Sequence, residues 1–400
     1  MKTRVLTFGI TLLLFFLLLT NAQAQYAIPG YMKKYETVWK NNPKGASLKW
    51  FKEAGFGMFI HFSPASILSG GVSEYTELDP WFEKQVAFEQ MDKYSRKQQL
   101  LDKMGKVYPE VQNLVTSFNP INFNADSIAE LAVSAGMKYI TFTTQHVVGK
   151  IYMFDTGLSK WNSKRLIERD FVKELSEACA KRDLGLFLYV TPPNDYIKGE
   201  LRLILKELLT NYGPIAGIWF DGIGECYRRP NDFLETGELY AYINELQPQC
   251  LISFKTGFTG DEDFLAPEWN QVKFDEQGKV ILNIHVRSDN NKMIKEDDKL
   301  RPVLRIANSK LLRNYQSFKN IWETELVNKP VELCSTILKN DEWFDVENGI
   351  HKTQKEIIAE LNYAKKYNAN YLLNVGLRGD GSIHYVDKRT LDGFNTGKGH

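Results

Sequence analysis

Cysteine is scarce in this chain. Its four residues, Cys179, Cys226, Cys250 and Cys334, show no CxxC or other metal spacing. A structural zinc site is thereby set aside, and although an exported protein permits a disulfide, the spacing identifies no pair. Histidine is equally sparse, with six residues, none in an HxH pair and one of them the final residue, His400. Metal-dependent hydrolysis wants a cluster of such ligands, so neither a catalytic metal nor another cofactor is expected. Neither sign of charge dominates: 50 Lys and Arg face 49 Asp and Glu, which offers nothing to attract nucleic acid or an anionic membrane. No linker, low-complexity tract or internal repeat interrupts the chain. Nor does a GxGxxG turn follow the first apolar strand-like run, where "HFSPASILSGG" stands instead, against a doubly wound nucleotide-binding sheet.

Long apolar runs are absent except at the start. Lys2 and Arg4 precede "VLTFGITLLLFFLLL", and "AQA" ends at Ala24. At about 15 residues this run is short of the ~20 that span a bilayer, and it carries the layout of a secretory leader cleaved after Ala24. No cysteine follows the cut to take a lipid. Residues 1–24 are read as a signal peptide, and residues 25–400 as a soluble secreted or periplasmic protein with no membrane association. Loss of Lys2 and Arg4, with no acid, moves the formal charge from +1 to −1.

What is present is an alternation. Short β-branched and aromatic runs, "GMFIHFS" (57–63), "YITFTT" (139–144), "GLFLYVT" (185–191), "IAGIWFD" (215–221), "CLISFK" (250–255) and "NYLLNVG" (370–376), are separated by amphipathic stretches such as 124–136, 169–183, 199–213 and 236–248. In the first of these stretches Ala125, Ile128, Leu131 and Ala132 keep helical spacing, Asn124 can cap the first turn and Gly136 can end it. Strands alternating with helices imply parallel β/α units, and continuous apolar character implies strands covered on both faces. The pattern predicts one (β/α)8 barrel over residues 25–400, elaborated at about 270–330, where "KVILNIHVRSD" (279–289) reads as an extra strand.

Polar residues fall at the ends of successive strands: His61, Thr144 to His146, Tyr189, Asp221 and Lys255. A barrel builds its site from those ends. Each residue alone has a plain structural reading, Asp221 as a helix-capping acid and the histidines as hydrogen-bonded core side chains. On one rim together they form a candidate site, and carboxylates with aromatic and imidazole neighbours suit glycoside hydrolysis.

Four segments, "WFKEAGFGMFIHFSPASI" (50–67), "FNPINFNADSIAELAVSAGMKYITFTTQH" (118–146), "ELLTNYGPIAGIWFDG" (207–222) and "NYLLNVGLRGDGSI" (370–383), resemble in sequence and order the α-L-fucosidases of glycoside hydrolase family 29. The resemblance runs from about residue 36 to 390. It implies a metal-free retaining exo-glycosidase that removes terminal α-L-fucosyl residues from an oligosaccharide or glycoconjugate. It also implies that Asp221 is the nucleophile, and that Glu268 in "DFLAPEW" is the acid/base, with Glu332 in "PVELCSTI" the other candidate. His61, His146, Tyr189 and, more loosely, Glu74 match sugar-binding positions. Trp219, Lys255 and Glu332 join them as substrate-binding candidates.

Departures from the family pattern accompany these matches. Val147 and Val148 replace a histidine and an aspartate, Lys150 a phenylalanine, and Lys255 an arginine. An ammonium does not reproduce a guanidinium fork, and valine donates nothing to a hydroxyl. Two further readings stay open on that account: a glycan-binding descendant without turnover, and a glycosidase for another sugar such as an α-L-galactoside. The chain ends soon after "GDGSI", which leaves no room for the β-sandwich domain that many relatives append. Oligomeric state is not legible.

Overall fold

The structure is a computed structural model that describes residues 27–67, 117–146, 151–159, 162–191, 198–221, 236–255, 260–269, 272–277, 280–282, 286–287, 293–294, 328–339 and 342–395. The leader, Glu74, Val147, Val148, Lys150 and Cys226 lie outside the described residues. Eleven strands are described. The first five are β1 (Phe56–Ile60), β2 (Tyr139–Thr143), β3 (Gly185–Val190), β4 (Gly217–Phe220) and β5 (Leu251–Phe254). The short β6 (Val272–Phe274), β7 (Val280–Leu282), β8 (Val286–Arg287) and β9 (Met293–Ile294) follow, then β10 (Glu332–Thr336) and β11 (Asn370–Asn374).

Seven of these form one parallel sheet in the order β10-β11-β1-β2-β3-β4-β5. Its two outer strands are linked by irregular chain at 263–268. On one side Asp263 N–H donates to the Ile252 carbonyl and Ala266 N–H to that of Lys255, both at 2.7 Å. On the other, Leu265 N–H reaches the Pro330 carbonyl at 2.9 Å and Cys334 N–H reaches that of Pro267 at 3.0 Å. The curled sheet is consistent with the expected (β/α)8 barrel, with this segment between its edges.

The sheet's side chains divide by parity, as strand geometry requires. Met58, Ile60, Ile140, Phe142, Leu186, Leu188, Ile218, Phe220 and Leu373 pack in one buried cluster with the helices that follow the strands. Phe59, Tyr139, Phe187, Tyr189, Trp219, Leu251, Cys334 and Leu372 form a second cluster, which includes Trp50 and Phe51 of the helix Pro43–Ala54. Aromatics of that size fit side by side only where a neighbour yields. A Cβ on Gly57 would fall 2.3 Å from the Tyr139 ring, and one on Gly217 would fall 2.4 Å from that of Phe187. Both strands are glycine where the adjacent strand is aromatic.

Helices begin where the caps direct. Asn124 accepts from Ser127 N–H (2.9 Å) ahead of Ala125–Ser134, and Asp170 accepts from Lys173 N–H (2.9 Å) ahead of Phe171–Lys181. The stretch 279–289 departs from expectation. Instead of one strand it contributes to two antiparallel pairs, β6 with β7 and β8 with β9. Asp275 accepts from Gln277 N–H (3.0 Å) between β6 and β7, and antiparallel pairs need only such short connections. Cys179, Cys250 and Cys334 are buried free thiols.

Candidate active site

Because β1 to β5, β10 and β11 run parallel, residues that follow their last positions share one end of the sheet. Asp221 directly follows β4, Lys255 follows β5 and His61 follows β1. Their side chains do meet. Lys255 Nζ lies 2.9 Å from Asp221 Oδ1 and 2.9 Å from Glu268 Oε1. Those two carboxylate oxygens can therefore be no farther apart than twice that distance. Tyr189, at the end of β3, donates its hydroxyl to Asp221 Oδ2 at 2.8 Å. Asp221 thus accepts from a phenol on one oxygen and an ammonium on the other, an arrangement that favours its ionised form.

Lys255 is held in an uncommon backbone state. Its φ is 43°, left-handed for a residue with a side chain, a strain of order 1–3 kcal/mol when not relieved locally. Its carbonyl takes the bond from Ala266 described above, so the residue that carries the ammonium also anchors the segment between the sheet's edges. Burial alone would lower the Lys255 pKa. The charges of Asp221 and Glu268 and their hydrogen bonds outweigh it, and the pKa is raised. Burial, and then the charge of Asp221, also raise the Tyr189 phenol well above its ordinary value, so it remains a donor.

The two candidate histidines form the other wall. His61 and His146 rings meet edge to face with centroids 5.1 Å apart, and His146 lies 5.6 Å from the Tyr189 ring. Asn374, the last residue of β11, donates its amide to Thr336 Oγ1 (3.2 Å) and to the Trp343 carbonyl (2.8 Å). Its Oδ1 is left to accept from His61 Nδ1 at 2.7 Å, so the network assigns the proton to Nδ1 and leaves Nε2 a lone pair. Burial, and then the neighbouring His146, push the His61 pKa well down. Burial lowers His146 to about 4. Both rings are neutral near pH 7, suited to hydroxyls rather than to anions. His146 Nδ1 is buried with no hydrogen-bond partner among the described residues.

Glu332 lies elsewhere. Glu332 opens β10 opposite Asn370, the first residue of β11, which puts it at the end of the sheet away from Asp221. It is 1% exposed, accepting from Tyr139 hydroxyl on Oε2 (2.6 Å) and from Trp219 Nε1 on Oε1 (3.0 Å). Burial raises its pKa to about 7 even though those two donors pull it back. Trp219 is 2% exposed, stacks on Tyr189 and lies with its ring centroid 6.0 Å from Lys255 Nζ, so it packs beneath the rim groups.

Three supporting residues escaped sequence reasoning. Asn374 orients His61; Trp343 packs on His61 (5.1 Å) and Phe344 on His146 (5.2 Å). An asparagine inside the apolar run "NYLLNVG" is the one signal that would have found Asn374. Trp343 and Phe344 lie in irregular chain, where no periodicity marks them.

Comparison with known proteins follows the same lines. The family model for alpha-L-fucosidase matches residues 22–396. The tissue alpha-L-fucosidase of Bos taurus is 24% identical over 374 residues, covering 88% of this chain and 67% of that protein. That of Rattus norvegicus is 25% identical over 393 residues, covering 92% and 71%. Among solved structures, alpha-L-fucosidase isoenzyme 1 from Paenibacillus thiaminolyticus superposes with a TM-score of 0.61 at 22% identity, covering 89% of this chain and 76% of that one. The alpha-L-fucosidase of Lactobacillus casei in complex with α-L-fucose product gives 0.57 at 23% identity, covering 88% and 97%. At these identities the structural likeness speaks for the fold.

Proposed function

The chain belongs to the alpha-L-fucosidase family of glycoside hydrolases, and from that premise we propose that it hydrolyses terminal α-L-fucosyl residues of glycans with retention at the anomeric carbon. The observation that carries this reading is the pair Asp221 and Glu268, each bonded to the Lys255 ammonium at 2.9 Å. Retaining glycosidases hold their two carboxyls roughly 5–5.5 Å apart, within the limit that this shared cation sets. In this reading Asp221 attacks the anomeric carbon while Glu268 gives a proton to the departing oxygen. A covalent fucosyl–Asp221 intermediate forms, and Glu268 then takes a proton from the water that releases the sugar. Tyr189 and Lys255 hold Asp221 aimed, and both donors are in place before the sugar arrives. His61 Nε2 and the unpaired His146 Nδ1 supply neutral partners for ring hydroxyls.

The test is Asp221→Gly assayed on an aryl α-L-fucoside. Turnover should be lost while the protein stays folded, and added azide should restore activity by forming β-fucosyl azide. A folded Asp221→Gly protein with undiminished turnover would refute the nucleophile role. One observation favours a second reading, a glycan-binding protein without turnover: the Lys255 ammonium occupies both carboxylates. Release of fucose by the wild type decides between the two. Residues 1–24 are proposed to direct export, so the mature chain recovered from the secreting cell should begin at Gln25.

A further inference from the structure

The hydrogen bonds behind His61 can run in one direction only, because two backbone carbonyls terminate them. Thr336 and Asn374 close β10 and β11 as partners in the parallel register. Thr336 donates its hydroxyl to the Glu342 carbonyl at 2.6 Å. Its one hydrogen is thereby used, so toward Asn374, 3.2 Å away, Oγ1 can only accept. The Asn374 atom that meets Thr336 also lies 2.8 Å from the Trp343 carbonyl, which has nothing to donate. That atom is therefore the amide nitrogen, and the flipped amide is excluded. Asn374 turns its Oδ1 to His61, and at 2.7 Å it obliges Nδ1 to carry the hydrogen.

Burial preserves this order. Thr336, Asn374 and His61 are 2%, 0% and 3% exposed, so solvent hardly reaches them to exchange donor for acceptor. The His61 ring is packed by Phe59, at 4.3 Å between centroids, and by Trp343 at 5.1 Å. Trp343 thus supplies both a carbonyl that sets Asn374 and the indole that packs on the imidazole. Turning the ring over would leave the Asn374 oxygen buried and unpaired. His146 lacks such a lock, since its Nδ1 meets no partner among the described residues.

His61 stands in the candidate site itself. Its ring centroid is 5.9 Å from that of Tyr189, which holds Asp221, and the Asp221 charge acts on the imidazole. With the hydrogen on Nδ1, Nε2 offers a lone pair and nothing to donate. We propose that Asn374, set by Thr336 and the Trp343 carbonyl, is a positioning residue that makes His61 Nε2 an obligate acceptor, so that the site demands a sugar hydroxyl able to donate there. The proposal rests on the fucosidase reading above. Fluorine in place of that hydroxyl would meet lone pair with lone pair, so it should be rejected as strongly as a missing hydroxyl.

Two measurements test this. Nitrogen NMR of protein labelled at histidine, with His61 assigned by the signals lost in His61→Gln, reads the tautomer without substrate. At pH 7 the wild type should show a neutral ring protonated at Nδ1. A ring protonated at Nε2, or at both nitrogens, overturns the proposal. Asn374→Leu removes the acceptor, and its His61 should move toward the Nε2-protonated form. Asn374→Asp places a carboxylate against Nδ1, and its doubly protonated ring should persist to higher pH than in the wild type. An unchanged His61 in either folded variant overturns the role of Asn374.

The second measurement needs no change at Asn374. Asp221→Gly is titrated calorimetrically with 4-nitrophenyl α-L-fucoside and with its 2-, 3- and 4-deoxy and deoxyfluoro analogues. At one ring position both analogues should bind about tenfold or more weaker than the parent, the fluoro analogue no tighter than the deoxy. That loss should disappear when His61→Ala is added. A smaller loss at every position, a fluoro analogue tighter than the deoxy at all three, or a loss that survives His61→Ala overturns the acceptor role. If the wild type neither cleaves nor binds a fucoside, the fucosidase reading fails and the demanded hydroxyl with it, while the nitrogen spectra still judge the role of Asn374.

Discussion

Glu268 and Glu332 reach neighbouring places in the wall of the sheet, since Glu268 bridges to Cys334, two residues beyond Glu332. Their surroundings are opposite. Glu268 is about a quarter exposed and bonded to a full positive charge (side-chain exposure 27%). Glu332 is sealed at the other end of the strand by two neutral donors. A carboxyl that must exchange protons with substrate and water needs access and an adjustable partner. One that only satisfies buried donors needs neither. Both glutamates were candidates for the same role, and the difference in surroundings assigns Glu268 to the proposed chemistry and Glu332 to the fold.

The strongest way to break this contrast is to exchange the consequences. Glu268→Ala should lower kcat/KM on fucosyl oligosaccharides by about 10²–10⁴, the usual range for a lost general acid, and far less on aryl fucosides whose leaving group needs no proton. Its pH–rate profile should also lose the alkaline limb. If Glu332→Ala gives that pattern in a folded protein and Glu268→Ala does not, the two roles are reversed.

Glu332 should show itself in stability instead. Its pKa is raised from 4.5 in the unfolded chain to about 7 in the folded one. The native state therefore binds more protons between those values, and this group's contribution is full below pH 4.5 and lost as pH rises through 7. The span corresponds to a loss on the order of 3 kcal/mol. Glu332→Gln cannot ionise, and urea unfolding at pH 5 and pH 8 should show the wild-type difference reduced by that amount. An unchanged difference would mean that Glu332 is ionised throughout.

Lys255→Met removes the cation that the two rim carboxyls share. Like charges then face each other and disfavour a second ionisation, so the alkaline limb of the pH–rate profile on fucosyl oligosaccharides, whose leaving oxygen needs a proton, should move to higher pH. Lys255→Arg should restore the limb to its wild-type position. A profile unmoved in Lys255→Met would show that the ammonium does not govern the pair.

The smallest effects come from two tyrosines. Tyr139→Phe takes one donor from Glu332 and should cost about 1 kcal/mol of stability, with kcat for the aryl fucoside within twofold of wild type. Tyr189→Phe takes one donor from Asp221 and should lower kcat more than it lowers stability. Equal behaviour of the two would erase the distinction between rim and interior.

Much of the architecture was legible because periodicity and caps are local. The apolar runs at 57–63, 139–144, 185–191, 215–221, 250–255 and 370–376 became β1 to β5 and β11 with ends shifted by a few residues. Asn124 caps the helix it was expected to cap. Chain direction then brought His61, Tyr189, Asp221 and Lys255 to one end, because strands of a parallel sheet end together. The region 279–289 was read as one strand, and its described residues fall in two, Val280–Leu282 and Val286–Arg287, each too short to show a period.

The sequence by itself determined the order of strands and helices, their caps, and which polar residues stand at strand ends, since each follows from residues adjacent in the chain. Tertiary structure alone decided that Lys255 spans Asp221 and Glu268. It alone decided that Glu332 turns inward to Tyr139 and Trp219, and that Asn374 sets the proton on His61. Those contacts join residues from 13 to 313 positions apart. Their energies depend on burial and on distances of about 3 Å, which arise only when the sheet curls and the chain at 263–268 spans its two edges.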